Sequence, residues 1–173
     1  MKTARLILRP IRLEDAPRIA SLAGDWDVAR MTGRIPYPYS AALAEHWVSG
    51  LAEGEIVFGI EHNGALIGIC GYTPSKDRTA ELGYWIGKDY WNRGFATEAV
   101  RRLIDHGYTR SGIKRFHCSH FQENAASARV ITKLGFKALG PCTGWCEAAN
   151  AHKPALRYEL RRPWTAAIKA LAS

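Results

Sequence analysis

Two neighbouring residues, Asn63 and Gly64, leave the chain around them little choice of fold. A two-residue hairpin loop needs positive φ at both central positions, and Asn-Gly meets that need at low cost. Glu55 to His62 reads as a strand with Ile56, Phe58 and Ile60 on one face, and Ala65 to Tyr72 returns as its richly apolar partner. Ala80 to Gly87 looks like another strand, so three antiparallel strands in a row are expected.

The flanks alternate between strand and helix signals. Arg5 to Ile11 alternates and is β-rich, so it reads as an opening strand. A helical stretch follows from Asp15-Ala16-Pro17 through Leu22, and a second short helix runs from near Asp25 to just before Gly33. Ile35-Pro36-Tyr37-Pro38-Tyr39 must be extended or turned, because a residue before proline avoids the α region. Ser40 is a good N-cap, and Glu45 to Glu53 continues a helix from it. Gly94 to Arg110 carries Phe95, Ala99, Leu103 and Gly107 at i, i+4 spacing, with Ala96, Val100, Ile104 and Tyr108 alongside. That is an amphipathic helix with a wide apolar stripe. Arg115 to Phe121 is a strand, Glu123 to Leu134 a helix closed by Gly135, and Phe136 to Leu139 a strand start. Leu156, Tyr158 and Leu160 alternate in a last strand. The order predicts an α/β (α+β) protein, a mixed sheet with helices on both sides.

At 173 residues, without repeats or a dividing linker, the chain suits one domain over residues 1–173. It has no apolar run long enough to span a membrane as a helix, and its first residues lack the apolar region of a secretory signal, so a cytoplasmic location is expected. Four cysteines are too few for a disulfide scaffold: Cys70 and Cys118 read as reduced core residues. Cys142 and Cys146, with His152 beyond, match no common zinc spacing, and no metal is expected. His117 and His120 are three apart in a strand, hence on opposite faces and poor partners for one ion. Trp26, Trp47, Trp145 and Trp164 read as core or rim aromatics. The net charge of +8 favours an anionic partner, either nucleic acid or a phosphate-rich cofactor. Basic residues are spread along the chain rather than gathered in one tract, which argues against nucleic acid.

The segment that carries chemistry runs from Glu81 to Glu98: a strand, a short loop, then a helix starting at Arg93-Gly94-Phe95-Ala96. A helix start presents backbone N–H groups without intrahelical partners, and its dipole adds a partial positive charge at the same place. Gly94 allows close backbone approach, Ala96 keeps the first turn narrow, and Arg93 adds a fixed charge, so the arrangement suits phosphates. Taken alone, the tetrad reads equally as a loop end with a solvated arginine.

The stretch resembles the acyl-CoA motif of the GNAT superfamily of N-acetyltransferases, Arg/Gln-x-x-Gly-x-Gly/Ala. Gly94, Phe95 and Ala96 match it after Asn92 and Arg93, while Trp91 stands where Arg or Gln would. Tyr90-Trp91 is similar to what the RimJ/RimL-like group of ribosomal-protein N-terminal acetyltransferases shows. Arg5 to Ala16 looks like that group's opening strand and helix, and Glu123 to Phe136 looks like its later CoA-side helix. The resemblance covers nearly all of residues 3–162. It implies the GNAT acyl-CoA N-acyltransferase fold: a mostly antiparallel sheet of about seven strands flanked by helices, with splayed central strands. Backbone groups of Trp85, Ile86 and Gly87 would hold the pantetheine arm of acetyl-CoA. The Ile86 N–H would face the thioester carbonyl, and Arg93, Gly94, Phe95, Ala96 and Thr97 would take the pyrophosphate. Asn124 would bond the pantetheine side, or cap the following helix, and the two roles are compatible.

Attack of an amine on a thioester needs the amine unprotonated, and an α-amine, with a pKa of about 8, needs less help than a lysine. Glu81 shares strand parity with Gly83 and Trp85 and is the candidate base; an edge-strand surface charge is the even alternative. Relatives often place a tyrosine acid after the last CoA helix, where Lys133-Leu134-Gly135-Phe136 offers phenylalanine. Ser127 is the nearest replacement by motif position, against a plain packing role, and a thiolate also leaves without a dedicated acid. Tyr37 and Tyr39 either line the acceptor side or pack their own loop. The expected reaction is acetyl transfer from acetyl-CoA to a primary amine, a protein N-terminus or a small molecule, by direct attack through a tetrahedral intermediate. No cysteine lies in the cradle segment, which argues against a thiol relay. A non-catalytic acyl-CoA sensor is the second class and a basic nucleic-acid module the third. A homodimer is the weakly favoured assembly.

Overall fold

The computed structural model describes residues 1–52 and 54–161. Glu53, Trp164 and residue 162, to which parts of the sequence reading extend, lie outside them. Asn63 and Gly64 take φ of 50° and 78°, and the strands they join pair from His62 opposite Ala65 outward. These strands are β2 (Ile56–His62) and β3 (Ala65–Pro74); β4 (Thr79–Ile86) adds antiparallel to β3, giving the expected run of three. β1 (Ile7–Arg9), β5 (Arg115–Phe121), β6 (Lys137–Cys146) and β7 (Ala151–Arg161) complete one seven-stranded sheet in the order β1-β2-β3-β4-β5-β7-β6.

Among the described residues five α-helices flank this sheet: α1 (Ala16–Ala23), α2 (Trp26–Ala29), α3 (Ala41–Ser49), α4 (Phe95–Thr109) and α5 (Ala125–Lys133). Asp25, Ser40 and Asn124 cap three of them, accepting from Asp27, Leu43 and Ser127 N–H and so satisfying donors the helix itself cannot. The apolar stripe of α4, from Phe95 through Ile104, buries against Cys70, Tyr72, Leu82, Ile86, Phe116 and Cys118. Ala16, Ile19, Ala20 and Ala44 of α1 and α3 pack on the other face, against Leu66, Ile69 and the flank of Trp85. Arg9 joins these pieces by pairing with both Asp15 and Glu61 at 2.8 Å.

Two expectations need correction. The opening strand is three residues long, not Arg5 to Ile11: Pro10 offers no N–H, and the Arg5 N–H donates to the Glu98 carboxylate instead of a strand. α3 stops at Ser49, because the Gly50 N–H closes on the carbonyls of His46 and Trp47.

The sheet parts at its centre. β4 and β5 pair in parallel only from Thr79 to Glu81 against Arg115 to His117. Beyond that point both strands continue without pairing to each other, β4 to Ile86 and β5 to Phe121. The two central strands therefore open as a V.

Candidate functional site

The helix start at the end of the V is built by a left-handed turn. Asn92 has φ of 60° and Gly94 φ 77°, ψ 4°, so the chain reverses sharply before α4. Gly94 is the N-cap and has no side chain to bond the first turn, while its carbonyl accepts the first helical bond from Glu98. The N–H groups of Phe95, Ala96 and Thr97 are thus those that a helix leaves without partners. Arg5 props this turn from outside. Its guanidinium donates to the Arg93 carbonyl at 3.0 Å, pairs with Glu98 at 2.7 Å and lies over the Phe95 ring. Glu98 also accepts from Thr3 at 2.6 Å. Its carboxyl titrates below the usual range: burial would raise it, but the Thr3 hydroxyl and the Arg5 N–H groups and charge prevail.

A groove of about 490 Å³ leads away from this turn along α4 toward α5, lined by Gly94, Thr97, Arg101, Arg102 and Lys133 among others. Arg101 and Lys133 are exposed cations. Sequence reading missed them, because their use depends on two helices lying side by side.

The backbone of β4 sorts its own groups. Gly87 N–H donates to Ile67 at 2.8 Å and its carbonyl accepts from Tyr90, so Gly87 is committed on both sides. In an antiparallel pair the peptide groups alternate between the two neighbours. Trp85 accordingly turns its main chain toward β3, and Ile86 and Tyr84 turn theirs toward the opening. Of the three expected backbone partners, then, Ile86 has its N–H on the open side. Its carbonyl accepts from the Trp91 indole at 2.6 Å, a bond that ties the loop to the end of β4 and gives the unusual Trp91 a structural reason.

On the α4–α5 side of the V, Tyr84 and Ser127 meet, hydroxyl to hydroxyl at 2.8 Å. Burial pushes the Tyr84 phenol up, the Ser127 bond opposing. Tyr84 escaped the sequence reading; its strand parity with Leu82 and Ile86 was the available signal. Asn124 caps α5 through its side-chain oxygen and reaches the Met31 carbonyl at 3.4 Å with its amide nitrogen. Burial drives the Cys118 thiol up to about 12, leaving it protonated and unfit as a nucleophile near neutral pH.

The opposite side of the V is open. Glu81 lies there with Gly83 and Trp85, as strand parity requires, while Ala80, Leu82 and Ile86 are buried on the α4 side. Glu81 accepts from Arg157 of β7 at 3.1 Å. A Cβ on Gly83 would meet nothing within 4 Å. His117, beside Glu81 in register, has a buried Nδ1 without a hydrogen-bond partner among the described residues. His120 faces the other way, bonded to Tyr158 at 3.1 Å, and is a core residue. Trp26 and Tyr37 meet edge to face at the rim, both nearly half exposed. Among the described residues no cluster of three or more His, Cys, Asp or Glu could hold a metal, and no helix is long and apolar enough to cross a membrane.

Comparison with known proteins gives three kinds of match. A family model described as an acetyltransferase (GNAT) domain fits residues 5–137. The uncharacterized N-acetyltransferase YoaA of Bacillus subtilis is 32% identical over 149 residues, 81% of this chain and 84% of its own. The spermidine N(1)-acetyltransferase of Escherichia coli K12 is 26% identical over 136 residues, 77% of this chain and 73% of its own. The solved structure of Mycobacterium smegmatis RimJ in complex with CoA-disulfide superposes with a TM-score of 0.80 at 23% identity, covering 96% of this chain and 88% of that one. That last likeness is one of fold.

Proposed function

The chain belongs to the GNAT acetyltransferase family and is an acyltransferase, and on that premise we propose that it moves acetyl from acetyl-CoA to a primary amine by direct attack. The observation that carries this reading is a juxtaposition: the V between β4 and β5 runs beside the uncapped start of α4. The fit to acetyl-CoA rests on the left-handed Gly94, the free-facing N–H groups of Phe95, Ala96 and Thr97, and the groove beyond them, where Arg101, Arg102 and Lys133 outnumber Glu98 and Asp105. Those N–H groups and Arg93 would hold the pyrophosphate. Arg101 and Lys133 would flank the nucleotide.

Within the V, the Ile86 N–H is positioned to donate to the thioester oxygen, stabilising the negative charge that develops on attack. Trp85 contributes through its packed side chain rather than its main chain, and Gly87 shapes the end of the strand. The amine enters from the open side past Gly83 and loses its proton to Glu81, directly or through one water. Nitrogen bonds to the acetyl carbon, the carbon–sulfur bond breaks, and the sulfur departs as thiolate or takes a proton through the Ser127 hydroxyl, which regains one from solvent. The Tyr84 hydroxyl holds Ser127 in place for this donation. Asn124 fixes the start of α5 and with it Ser127.

Thiol release measured with a panel of peptides and small amines tests the proposal directly. Turnover of at least one amine is expected, and Glu81→Gln should lower kcat about 10²-fold or more with little change in acetyl-CoA affinity. Binding of acetyl-CoA without turnover of any amine would favour a sensor on the same fold. A full-speed Glu81→Gln enzyme at neutral pH would remove Glu81 from the mechanism.

A further inference from the structure

The open side of the V carries an ordered set of charges. Strand register places Lys137, Glu159, His117 and Glu81 in one row across β6, β7, β5 and β4. The next row toward the opening holds Gly140, Arg157 and Ser119, and the row behind holds Arg161 and Arg115. Four cations thus share this face with two carboxylates. Glu159 is largely buried and is used by Arg115 at 3.5 Å and Arg161 at 2.6 Å. Around the rim the charges cancel instead: Asp25 and Asp27 pair with Lys88, Asp27 also with Arg30, and Glu123 with Lys153. The cationic excess therefore belongs to this strand face rather than to the rim, and Arg157 is its member on the side of the opening.

Arg157 is the cation best placed to use it. It stands in register with Ser119, on the row where Gly83 leaves open space, and its side chain is 46% exposed. A single bond of 3.1 Å joins it to Glu81, leaving most of its five donors unspent on that partner. Ser119 of β5 and Arg157 of β7 are both exposed.

We infer that this face selects acceptors carrying a carboxylate close to the reacting amine, with Arg157 as the anchor of that carboxylate. The inference rests on the acetyl-transfer reading above and deepens it by naming the acceptor's chemical class: an amino acid or a peptide with an acidic residue near its N-terminus. A polyamine meets the wrong sign of charge here. Anchoring by Arg157 also leaves Glu81 free to take the amine's proton, because the guanidinium exchanges one carboxylate for another.

The test uses the full chain with saturating acetyl-CoA and four acceptors: spermidine and three peptides alike except for acidic, neutral or basic residues at positions two to four. For the wild-type protein, kcat/KM with the acidic peptide should exceed that with the basic peptide and with spermidine by about tenfold or more. The preference should shrink as salt is raised. Arg157→Gln should cut the acidic-to-neutral ratio at least fivefold, through KM rather than kcat; a ratio cancels any effect on Glu81 common to both peptides. Brisk turnover with flat ratios, a preference for spermidine, or an unaltered ratio in Arg157→Gln would overturn this inference and leave the acetyltransferase reading standing. Acetyl-CoA binding without turnover of any acceptor would overturn both.

Discussion

Gly94→Val is the perturbation that separates the proposed cradle from an ordinary loop end. Gly94 lies at φ 77°, where a Cβ would sit 3.5 Å from the Arg5 guanidinium, an ordinary contact. Space is therefore not the first cost; backbone conformation is. A β-branched residue held in the left-handed region stores about 1–3 kcal/mol, and the turn relieves that strain by rotating out of it. Rotation redirects the N–H groups of Phe95, Ala96 and Thr97, and the valine methyls project into the approach that glycine leaves open. Hydrogen bonds to a charged group contribute about 1.5–3 kcal/mol each, so losing two costs about 3–6 kcal/mol. Even the lower figure weakens acetyl-CoA binding by about two orders of magnitude. Gly94→Ala, with strain of about 1–2 kcal/mol and no methyls beyond Cβ, should bind between the two. Titration calorimetry with acetyl-CoA measures the loss, and a thermal melt run beside it checks that the fold survives, with a midpoint lower by about 2–4 °C per kcal/mol of strain. A valine variant that melts earlier as expected, yet binds within threefold of wild type, would refute the cradle.

Neighbouring groups give further expectations. The Glu98 carboxyl titrates below its ordinary value of 4.5, so its pairing with Arg5 and Thr3 adds stability above that pH and loses it as acid carries the folded protein through the lowered value. Thermal midpoints of wild type and Glu98→Gln should therefore differ most above the ordinary value of 4.5 and draw together as acid carries the folded protein through the lowered one; curves that stay parallel throughout would count against the pairing. At Gly107 a Cβ would meet the Phe116 ring at 2.4 Å, so Gly107→Ala should destabilise by about 1–3 kcal/mol despite alanine's better helix propensity. A variant as stable as wild type in urea titration would show that α4 does not seat against β5 as described.

The charge-assisted hold on α4 links these effects to function. Arg5 bonds both Glu98, one turn into the helix, and Arg93, just before it. Loss of Glu98 should therefore reach the cradle through Arg5 as well as through stability.

Local sequence rules determined much of this protein by themselves. Asn63-Gly64 dictated its hairpin because few residue pairs tolerate two positive φ values, and Ser40, Asn124 and Gly94 marked helix starts because cap chemistry is a matter of adjacent residues. The turn proposed as the cradle was legible for the same reason: its parts are consecutive in the chain. The groups that complete the site are not. Arg157 reaches Glu81 across 76 positions, Tyr84 meets Ser127 across 43, and Arg5 braces Arg93 across 88. No propensity or period relates such residues; only the order of strands and the layering of helices brings them together. The extent of the β4–β5 opening was likewise settled in three dimensions, since pairing that stops after three residues depends on what each strand packs against rather than on its own composition. Short-range physics fixed the elements and the turn proposed to hold the anion, and long-range packing decided which charges line the face proposed for the acceptor.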